Sequence, residues 1–133
     1  QAVEKHLINN GGGSVINISS TYGVVGPDHE IYDDMDFKSF ASYSASKAGI
    51  HGLTRWLATY WGSSNIRVNT LVPGGVQNDS HNSIFVDRYS AKTPLKRMAR
   101  IEDMLGIIFY LVSDSSSYST GQQFFVDGGW TAQ

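Results

Sequence analysis

The chain alternates short β-branched segments with helical patterns, and this order restricts the fold more than any other feature of its 133 residues. Strands are predicted at 15–19, 66–72 and 123–126, where apolar runs are bounded by glycine, serine or proline. Helical periodicity lies between them, over 42–61 and 101–112. Strands that alternate with helices run parallel, because each crossover helix returns the chain to the same end of the sheet. The sequence therefore predicts an α/β fold with three parallel strands and crossover helices.

The helices give more detailed expectations. Residues 1–10, QAVEKHLINN, read as the end of a helix that Gly11–Gly13 terminate. These glycines follow a helix and precede a strand, the reverse of a phosphate-binding loop, so we interpret them as a turn. A shorter, weakly patterned helix is predicted around 82–91. In the helix over 42–61, apolar residues recur every three or four positions, which predicts one buried stripe. That stripe consists of Ile50, Leu53, Leu57 and Tyr60.

The composition excludes several classes of function. The chain has no cysteine, so disulfides, thiolate metal sites and cysteine nucleophiles are excluded, and a cytoplasmic location is expected. A net charge of −2 gives no electrostatic reason to expect nucleic acid or an anionic membrane as a partner. The longest apolar run, over 106–112, is too short to span a bilayer. The four histidines lack metal-ligand spacing, so no metal site is predicted.

Three separate segments are predicted to meet at one site. Tyr43 and Lys47 are four residues apart on a predicted helix, so they project from the same face. Taken alone, such a pair is common on exposed helices. However, Ser20 follows the first predicted strand and Pro73 follows the second. Carboxyl ends of neighbouring parallel strands converge on the crevice where open α/β sheets bind ligands. We therefore expect these segments to share one crevice.

Four segments resemble the short-chain dehydrogenase/reductase family, in its shorter-chain branch. They are GGSVINISS, YSASKAGIHGLTR, NIRVNTLVPGG and YLVSDSSSYSTGQQFFVDGG, and they occur in the family's order and cover most of the chain. The resemblance implies a doubly wound Rossmann-type parallel sheet, of which this chain is the C-terminal half. It also implies an NAD(P)-dependent oxidoreductase that interconverts alcohols and ketones by hydride transfer, with NAD or NADP as cofactor.

The resemblance implies a role for each matching residue. Ser20 matches the serine that hydrogen-bonds the substrate oxygen, Tyr43 the general acid/base, and Lys47 the lysine that holds the nicotinamide ribose. The segment with Pro73, Gly74 and Val76 matches the one that meets the nicotinamide carboxamide. Asn78 stands where the family often has a threonine that contacts cofactor phosphate, and its amide can still donate a hydrogen bond. The cofactor-binding residues implied are Tyr43, Lys47, Pro73, Gly74, Val76 and Asn78.

The chemistry of these side chains is consistent with those roles. A neighbouring ammonium favours the phenolate form of a tyrosine, which can then exchange a proton with an alcohol or ketone oxygen.

Between Ser20 and Tyr43 lies an acidic loop, residues 24–41, longer than the usual family spacer. It either faces the substrate and favours a polar, sugar-like molecule, or is a solvated loop without ligand contact. Its acidic residues are Asp28, Glu30, Asp33, Asp34 and Asp36.

The family's glycine-rich nucleotide loop has no counterpart in this sequence. We therefore expect residues 1–133 to be the C-terminal part of a single Rossmann-type oxidoreductase domain, without its N-terminal nucleotide-binding half. The first strand would then lie at an unpaired sheet edge, and the isolated chain is expected to be inactive and poorly soluble. A homo-oligomer is expected for the full-length protein. Two alternatives remain open: a nucleotide-sugar epimerase or dehydratase of the same superfamily, and an inactive truncated product.

Overall fold

The computed structural model describes residues 2–133. Its first helix, α1, spans Ala2–Asn9, so the predicted helical segment is present, although its first residue, Gln1, lies outside the described residues. Gly12 follows this helix with a φ of 123°, and its amide donates to the Leu7 carbonyl at 2.9 Å. The glycine turn therefore closes α1 and leads into the first strand.

Three parallel strands form the sheet, as the sequence predicts. They are β1 (Gly13–Ile18), β2 (Ile66–Pro73) and β3 (Gln123–Val126). In space they lie in the order β1-β2-β3, and Val15 pairs with Val68 across the first two. The central strand β2 is almost completely buried, which fits its continuous apolar sequence. The first strand lies at an edge of the described sheet, as expected.

The long helix α2 spans Ala41–Trp61 and packs on β1 and β2. The predicted buried stripe on this helix is wrong. Leu53 and Tyr60 are 51% and 58% exposed, and Ile50 and Leu57 are only partly buried. The side of α2 that faces the sheet instead carries residues that hydrogen-bond to the strands or are small enough to pack closely. These buried residues are His51, Thr54 and Ala58.

Two shorter helices lie between β2 and β3. Helix α3 spans Ser83–Lys92, and the Asn82 side chain caps it by accepting a backbone N–H from three residues ahead. Helix α4 spans only Leu105–Val112, because Ile101–Met104 forms a 3₁₀ turn. That turn is set by Asp103, whose carboxylate accepts the backbone N–H at its start. The single helix predicted over 101–112 is therefore shorter than expected. Over residues 2–133, no helix combines the length and the hydrophobicity needed to cross a lipid bilayer.

Two clusters of buried apolar residues lie within the part of the chain that the structure describes. One lies between α2 and the sheet and contains Ala58, Ile66 and Val68. The other lies beside the residues that follow β2, and aromatic rings dominate it. We call this second cluster the aromatic cap; it consists of Ile31, Tyr32, Phe85, Tyr89, Met98 and Trp130. The cap joins the loop after β1, helix α3 and the end of the chain, and it positions one wall of the site described next.

Candidate active site

A cleft of about 510 Å³ opens at the carboxyl ends of β1 and β2. The residues after both strands line it, together with the first turns of α2 and part of the aromatic cap. All seven residues predicted from the sequence to form the site line this one cleft. They are Ser20, Tyr43, Lys47, Pro73, Gly74, Val76 and Asn78. The structure thus brings the three predicted segments together, while the roles of these residues stay predictions.

Ser20 lies directly beyond β1 in extended conformation and caps a 3₁₀ turn, Thr21–Gly23. Its Oγ accepts the Tyr22 amide at 3.2 Å. This contact uses a lone pair of the hydroxyl, so its hydrogen is free to point toward a ligand. The turn packs tightly on α2, because a Cβ atom on Gly23 would lie 2.7 Å from the Lys47 carbonyl carbon. Glycine at this position lets the strand end and the helix approach each other.

Tyr43 and Lys47 lie one turn apart on α2 and both face the cleft. The Lys47 Nζ is 5.6 Å from the centre of the Tyr43 ring and donates to the Ile18 carbonyl at 3.1 Å. An ammonium carries three donors, so two remain for a ligand. Tyr43 itself is 43% exposed. A cation beside an accessible phenol is the arrangement that the sequence predicts.

Three other phenols line the cleft, and burial distinguishes them from Tyr43. Burial raises the pKa of Tyr22 far above its ordinary value, and its hydrogen bond with Tyr32 raises it further. Burial also raises the pKa of Tyr32. Burial raises the pKa of Tyr89 to about 12, although the Gly75 amide acts in the opposite direction. A raised pKa makes a phenol a weaker acid, so we assign none of these three groups the acid/base role.

The segment after β2 is held from both sides. The Gly74 amide donates to the Val126 carbonyl at 2.9 Å, and the Gly75 amide donates to the Tyr89 hydroxyl at 2.6 Å. A Cβ atom on Gly75 would lie 2.6 Å from the Tyr89 ring, so only glycine fits there. Val76 then forms a parallel bridge with Ala99. The backbone of this segment lines the cleft in a fixed conformation.

The acidic loop does not form an acidic wall. None of its five carboxylates lines the cleft. Asp28 and Glu30 form ion pairs with Lys92 of α3, and the Asp34 carboxylate lies 3.8 Å from Arg88 of the same helix. The cleft instead meets aromatic and hydroxyl-bearing side chains. The interpretation of the acidic residues as a substrate-facing wall is therefore wrong, and three of the five carboxylates pair with basic residues on α3 instead.

Several residues that line the cleft were not found from the sequence. Tyr22, Tyr32 and Phe37 come from the loop after β1, and Phe85 and Tyr89 come from α3. The only signal in the sequence is the four-residue spacing of the last two, which places them on one helix face. His81 also lines the cleft, where its ring packs 5.0 Å from that of Phe85. These residues come from segments whose sequence patterns are weak.

Asn78 lies at the exposed rim of the cleft. Its Oδ1 accepts the Ser80 amide at 2.9 Å, which forms a local turn and leaves the side-chain NH₂ able to donate. Within residues 2–133, no three His, Asp or Glu side chains are grouped closely enough to share a metal ion. Along the part of the chain that is described, the site therefore consists of hydroxyl, ammonium, amide and aromatic groups.

Comparison with known proteins agrees with this geometry. A family model described as enoyl-(acyl carrier protein) reductase matches residues 1–131. A short-chain dehydrogenase from Leptospira borgpetersenii, solved with bound NAD+, superposes with a TM-score of 0.87 at 38% identity, over 96% of this chain and 48% of that one. The chain belongs to the short-chain dehydrogenase/reductase family. The predicted family and the α/β fold of its Rossmann-type relatives are confirmed.

Two further comparisons show how far the similarity to this family extends. The post-translational flagellin modification protein A of Campylobacter coli is 42% identical over 118 residues, 89% of this chain and 46% of that protein. A gluconate 5-dehydrogenase from Burkholderia cenocepacia, in complex with NADP and tartrate, superposes with a TM-score of 0.83 at 29% identity. The superposition covers 100% of this chain and 50% of that dehydrogenase. The chain thus spans about half the length of the relatives that it matches.

Proposed function

We propose that the protein containing this chain is an NAD(P)-dependent oxidoreductase that interconverts an alcohol and a carbonyl group. The observation that carries the proposal is the shared cleft. Ser20, Tyr43 and Lys47 come from a strand end and a helix and line one cavity. Open α/β sheets bind their ligands at this edge, and family members solved with NAD+ and with NADP have the same fold.

Each of the three side chains has a distinct role in the proposed reaction. The Tyr43 hydroxyl donates a proton to the substrate oxygen during reduction, and its phenolate form accepts one during oxidation. The Lys47 ammonium, 5.6 Å from the ring centre, stabilises negative charge on the phenol oxygen. The Ser20 hydroxyl donates a hydrogen bond to the same substrate oxygen and holds it in place. Positioned acid/base groups of this kind contribute roughly 10²–10⁴-fold in rate.

The groups that line the cleft fit a nicotinamide cofactor. Lys47 has two free donors for the ribose hydroxyls, and the backbone of Pro73–Val76 offers peptide groups for the carboxamide. Gly74 and Gly75 keep that part of the wall free of side chains. Asn78 offers an amide donor on the phosphate side. When bound, the nicotinamide donates or accepts the hydride.

We propose a small, hydroxyl-rich substrate of the sugar or sugar-acid class. The support comes from the cleft wall, where the Tyr22 and Tyr32 hydroxyls lie 3.1 Å apart between aromatic rings. Sugars present hydroxyls at their edges and C–H groups on their faces, so mixed walls of hydroxyls and rings suit them. The relative from Burkholderia cenocepacia, named for gluconate, supports the same class.

We infer that the chain is the C-terminal part of one Rossmann-type domain and that the isolated chain is inactive. Its half-length match to relatives and its edge strand β1 support this inference.

A homo-oligomer and a cytoplasmic location are proposed as well. Support for an oligomer comes from the outer face of α2, where Trp56 and Tyr60 are exposed and stack on each other at 4.9 Å. Sedimentation of the full-length protein, with Trp56→Ser as the comparison, tests for an oligomer.

The test of the function uses the protein expressed from its complete coding sequence. NAD and NADP are each supplied with a panel of sugars, polyols and sugar acids, and reduced nicotinamide is measured against product. The expected result is one reduced cofactor for each oxidised substrate. An epimerase or dehydratase would convert substrate without net cofactor reduction, because the hydride returns to the product. That result, or an absence of both cofactor binding and turnover, would contradict the proposal.

A further inference from the structure

Lys47 is attached to the end of β1 at two points. Its carbonyl oxygen accepts the Ser19 hydroxyl at 2.8 Å, and its ammonium donates to the Ile18 carbonyl at 3.1 Å. These two partners are consecutive residues and directly precede Ser20. Both ends of the lysine, backbone and ammonium, are therefore placed relative to the same short piece of strand that places Ser20.

His51 completes this attachment. Its Nε2 lies 3.0 Å from the Ser19 Oγ. Because the single hydrogen of the serine hydroxyl is donated to the Lys47 carbonyl, the serine can only accept from the histidine, so Nε2 carries the hydrogen. Ser19 and His51 are only 2% and 6% exposed, so water cannot readily replace either contact. The hydrogen bonds therefore run in one direction, from His51 to Ser19 to Lys47.

A second buried contact, one turn further along α2, acts on the helix but not on Lys47. The Thr54 hydroxyl accepts the Asn17 amide at 2.9 Å and the Thr70 hydroxyl at 2.7 Å. Polar residues at 47, 51 and 54 thus follow one face of the helix at helical spacing. Sliding the helix by one residue would move each group about 1.5 Å, which breaks hydrogen bonds of this length. The buried contacts therefore fix the register of α2 on the sheet.

We propose that Ser19 and His51 are positioning residues for Lys47, a role that rests on the function proposed above. They hold the ammonium at a fixed place relative to Tyr43 and Ser20, so that it favours the phenolate and offers its remaining donors to the cofactor ribose. Neither residue touches substrate. Apolar packing alone would define the position of the helix along the strands less strictly, because hydrophobic contacts are not directional.

The test compares variants of the protein expressed from its complete coding sequence. Ser19→Ala and His51→Leu each remove one link between the helix and the strand end. Ser19→Thr keeps the hydroxyl, and His51→Gln keeps an N–H donor. Thr54→Val is the matched control, because it removes a buried hydrogen bond of the same helix without touching Lys47. If Ser19→Ala does not fold, the pair His51→Leu and His51→Gln provides the same comparison.

We expect Ser19→Ala and His51→Leu to lower kcat/KM for the alcohol about tenfold, because small displacements of a catalytic group cost one to two orders of magnitude. The KM for the cofactor should rise, and the acidic limb of the pH–rate profile should move to higher pH. Ser19→Thr keeps the hydroxyl and His51→Gln keeps an N–H donor, so both variants should stay close to wild type in these two properties. Thr54→Val should lower stability yet leave the cofactor KM and the pH limb unchanged.

A second measurement requires neither substrate nor cofactor. The lysines are labelled by reductive ¹³C-methylation, and their resonances are compared at one pH. In wild type the Lys47 resonance should lie apart from those of exposed lysines such as Lys5, because its ammonium is held on the Ile18 carbonyl, and in Ser19→Ala it should move toward them. The inference is overturned if Ser19→Ala leaves the pH limb and this resonance unchanged, or if Thr54→Val changes them equally. Absence of turnover in wild type would instead contradict the proposed function.

Discussion

The two walls of the cleft are held in place by different forces. On one side, hydrogen bonds join α2 to the neighbouring strands and to the residue after β1. They involve Asn17, Ser19 and Thr54. On the other side, the aromatic cap is joined by ring contacts, such as the stack of Tyr89 on Trp130 at 4.3 Å. Hydrogen bonds fix position and direction, whereas apolar packing fills space and tolerates small shifts.

This difference matches what each wall contributes to the proposed chemistry. Tyr43 and Lys47 must be held within a fraction of an ångström of their productive positions, so their helix needs directional contacts. The rings of the cap exclude water and provide a shape that fits the substrate. Substitutions at the contacts that hold Lys47 in the first wall should therefore act mainly on kinetics, and substitutions that remove rings of the second wall mainly on stability. The predictions below test this division.

The largest effect is expected for Tyr43→Phe in the first wall. Removing the phenol oxygen eliminates the proposed proton donor and should lower kcat by at least about 10²–10⁴-fold. The fold should be unchanged, because Tyr43 is partly exposed and its hydroxyl is not part of a buried hydrogen bond. Steady-state kinetics and a denaturant melt check both statements, and Tyr118→Phe, at a fully exposed tyrosine, is the control. Normal turnover of Tyr43→Phe would contradict the assigned role.

The second prediction concerns the aromatic cap. Trp130→Ala removes a buried ring that stacks on Tyr89 and should lower the free energy of unfolding by about 3–5 kcal/mol. The remaining folded protein should keep the pH–rate profile of wild type, because no group of the first wall is changed. Trp130→Phe keeps a ring and should lose less. A displaced pH profile with normal stability would refute the division between the two walls.

The third prediction concerns the hydrogen bond from the Gly75 amide to the Tyr89 hydroxyl, which joins the cap to the cofactor side. Tyr89→Phe leaves the Gly75 amide without its acceptor at 2.6 Å, which should cost about 1–3 kcal/mol of stability and raise the KM for the cofactor. Tyr22→Phe is the matched control, because that phenol accepts a hydrogen bond from the Tyr32 side chain and does not support the segment after β2. Urea unfolding and cofactor titration measure the two effects. Equal cofactor KM values for both variants would count against Tyr89 as the support of this segment.

The fourth prediction concerns pH. Burial lowers the pKa of His51, and nearby Arg55 lowers it further. Its folded pKa is below the unfolded value, so the unfolded chain binds more protons in acid. The free energy of unfolding should therefore be level above about pH 6.5 and fall as pH decreases below that value. His51→Gln should show a shallower decrease. Denaturant melts at about pH 7.5 and about pH 5.5 measure the decrease in the free energy of unfolding. Equal decreases in wild type and His51→Gln would show that another group is responsible.

The smallest effect is expected where the acidic loop meets α3. Lys92→Gln removes the ion pairs with Asp28 and Glu30, all at the surface, where such pairs contribute little. The KM for the substrate should change less than about twofold, because these carboxylates do not line the cleft. Glu30→Gln, which removes one carboxylate that pairs with Lys92, is the control. A large change in substrate KM would mean that the loop contacts the substrate after all.

The sequence allowed the sheet and the reactive side of the cleft to be predicted. Alternation of β-branched runs with helices predicts three parallel strands, and parallel strand ends bring Ser20 and Pro73 to one edge. The stripe on α2 could not be predicted, because that helix is apolar on its exposed side as well, and periodicity does not tell which side faces the sheet. His51 and Thr54 were missed since buried polar residues give no hydrophobic signal.

The cap could not be predicted for a different reason. Its members Ile31, Phe85 and Trp130 are far apart in sequence and lie in segments without strong periodicity. The ion pairs that turn Asp28 and Glu30 away from the cleft join residues more than 60 positions apart. A local pattern carries no information on such partners. Tertiary contacts therefore decided between the two interpretations of the acidic loop.

The central claim is that Ser20, Tyr43 and Lys47 act together on one substrate oxygen and one cofactor. The most direct test is a crystal structure of the full-length protein with a nicotinamide cofactor and a substrate or an unreactive analogue. The account predicts that the Ser20 and Tyr43 hydroxyls both lie within hydrogen-bonding distance of the same substrate oxygen, with the Lys47 ammonium on the ribose. A ligand oxygen bound away from both hydroxyls, or a cofactor that does not contact Lys47, would contradict it.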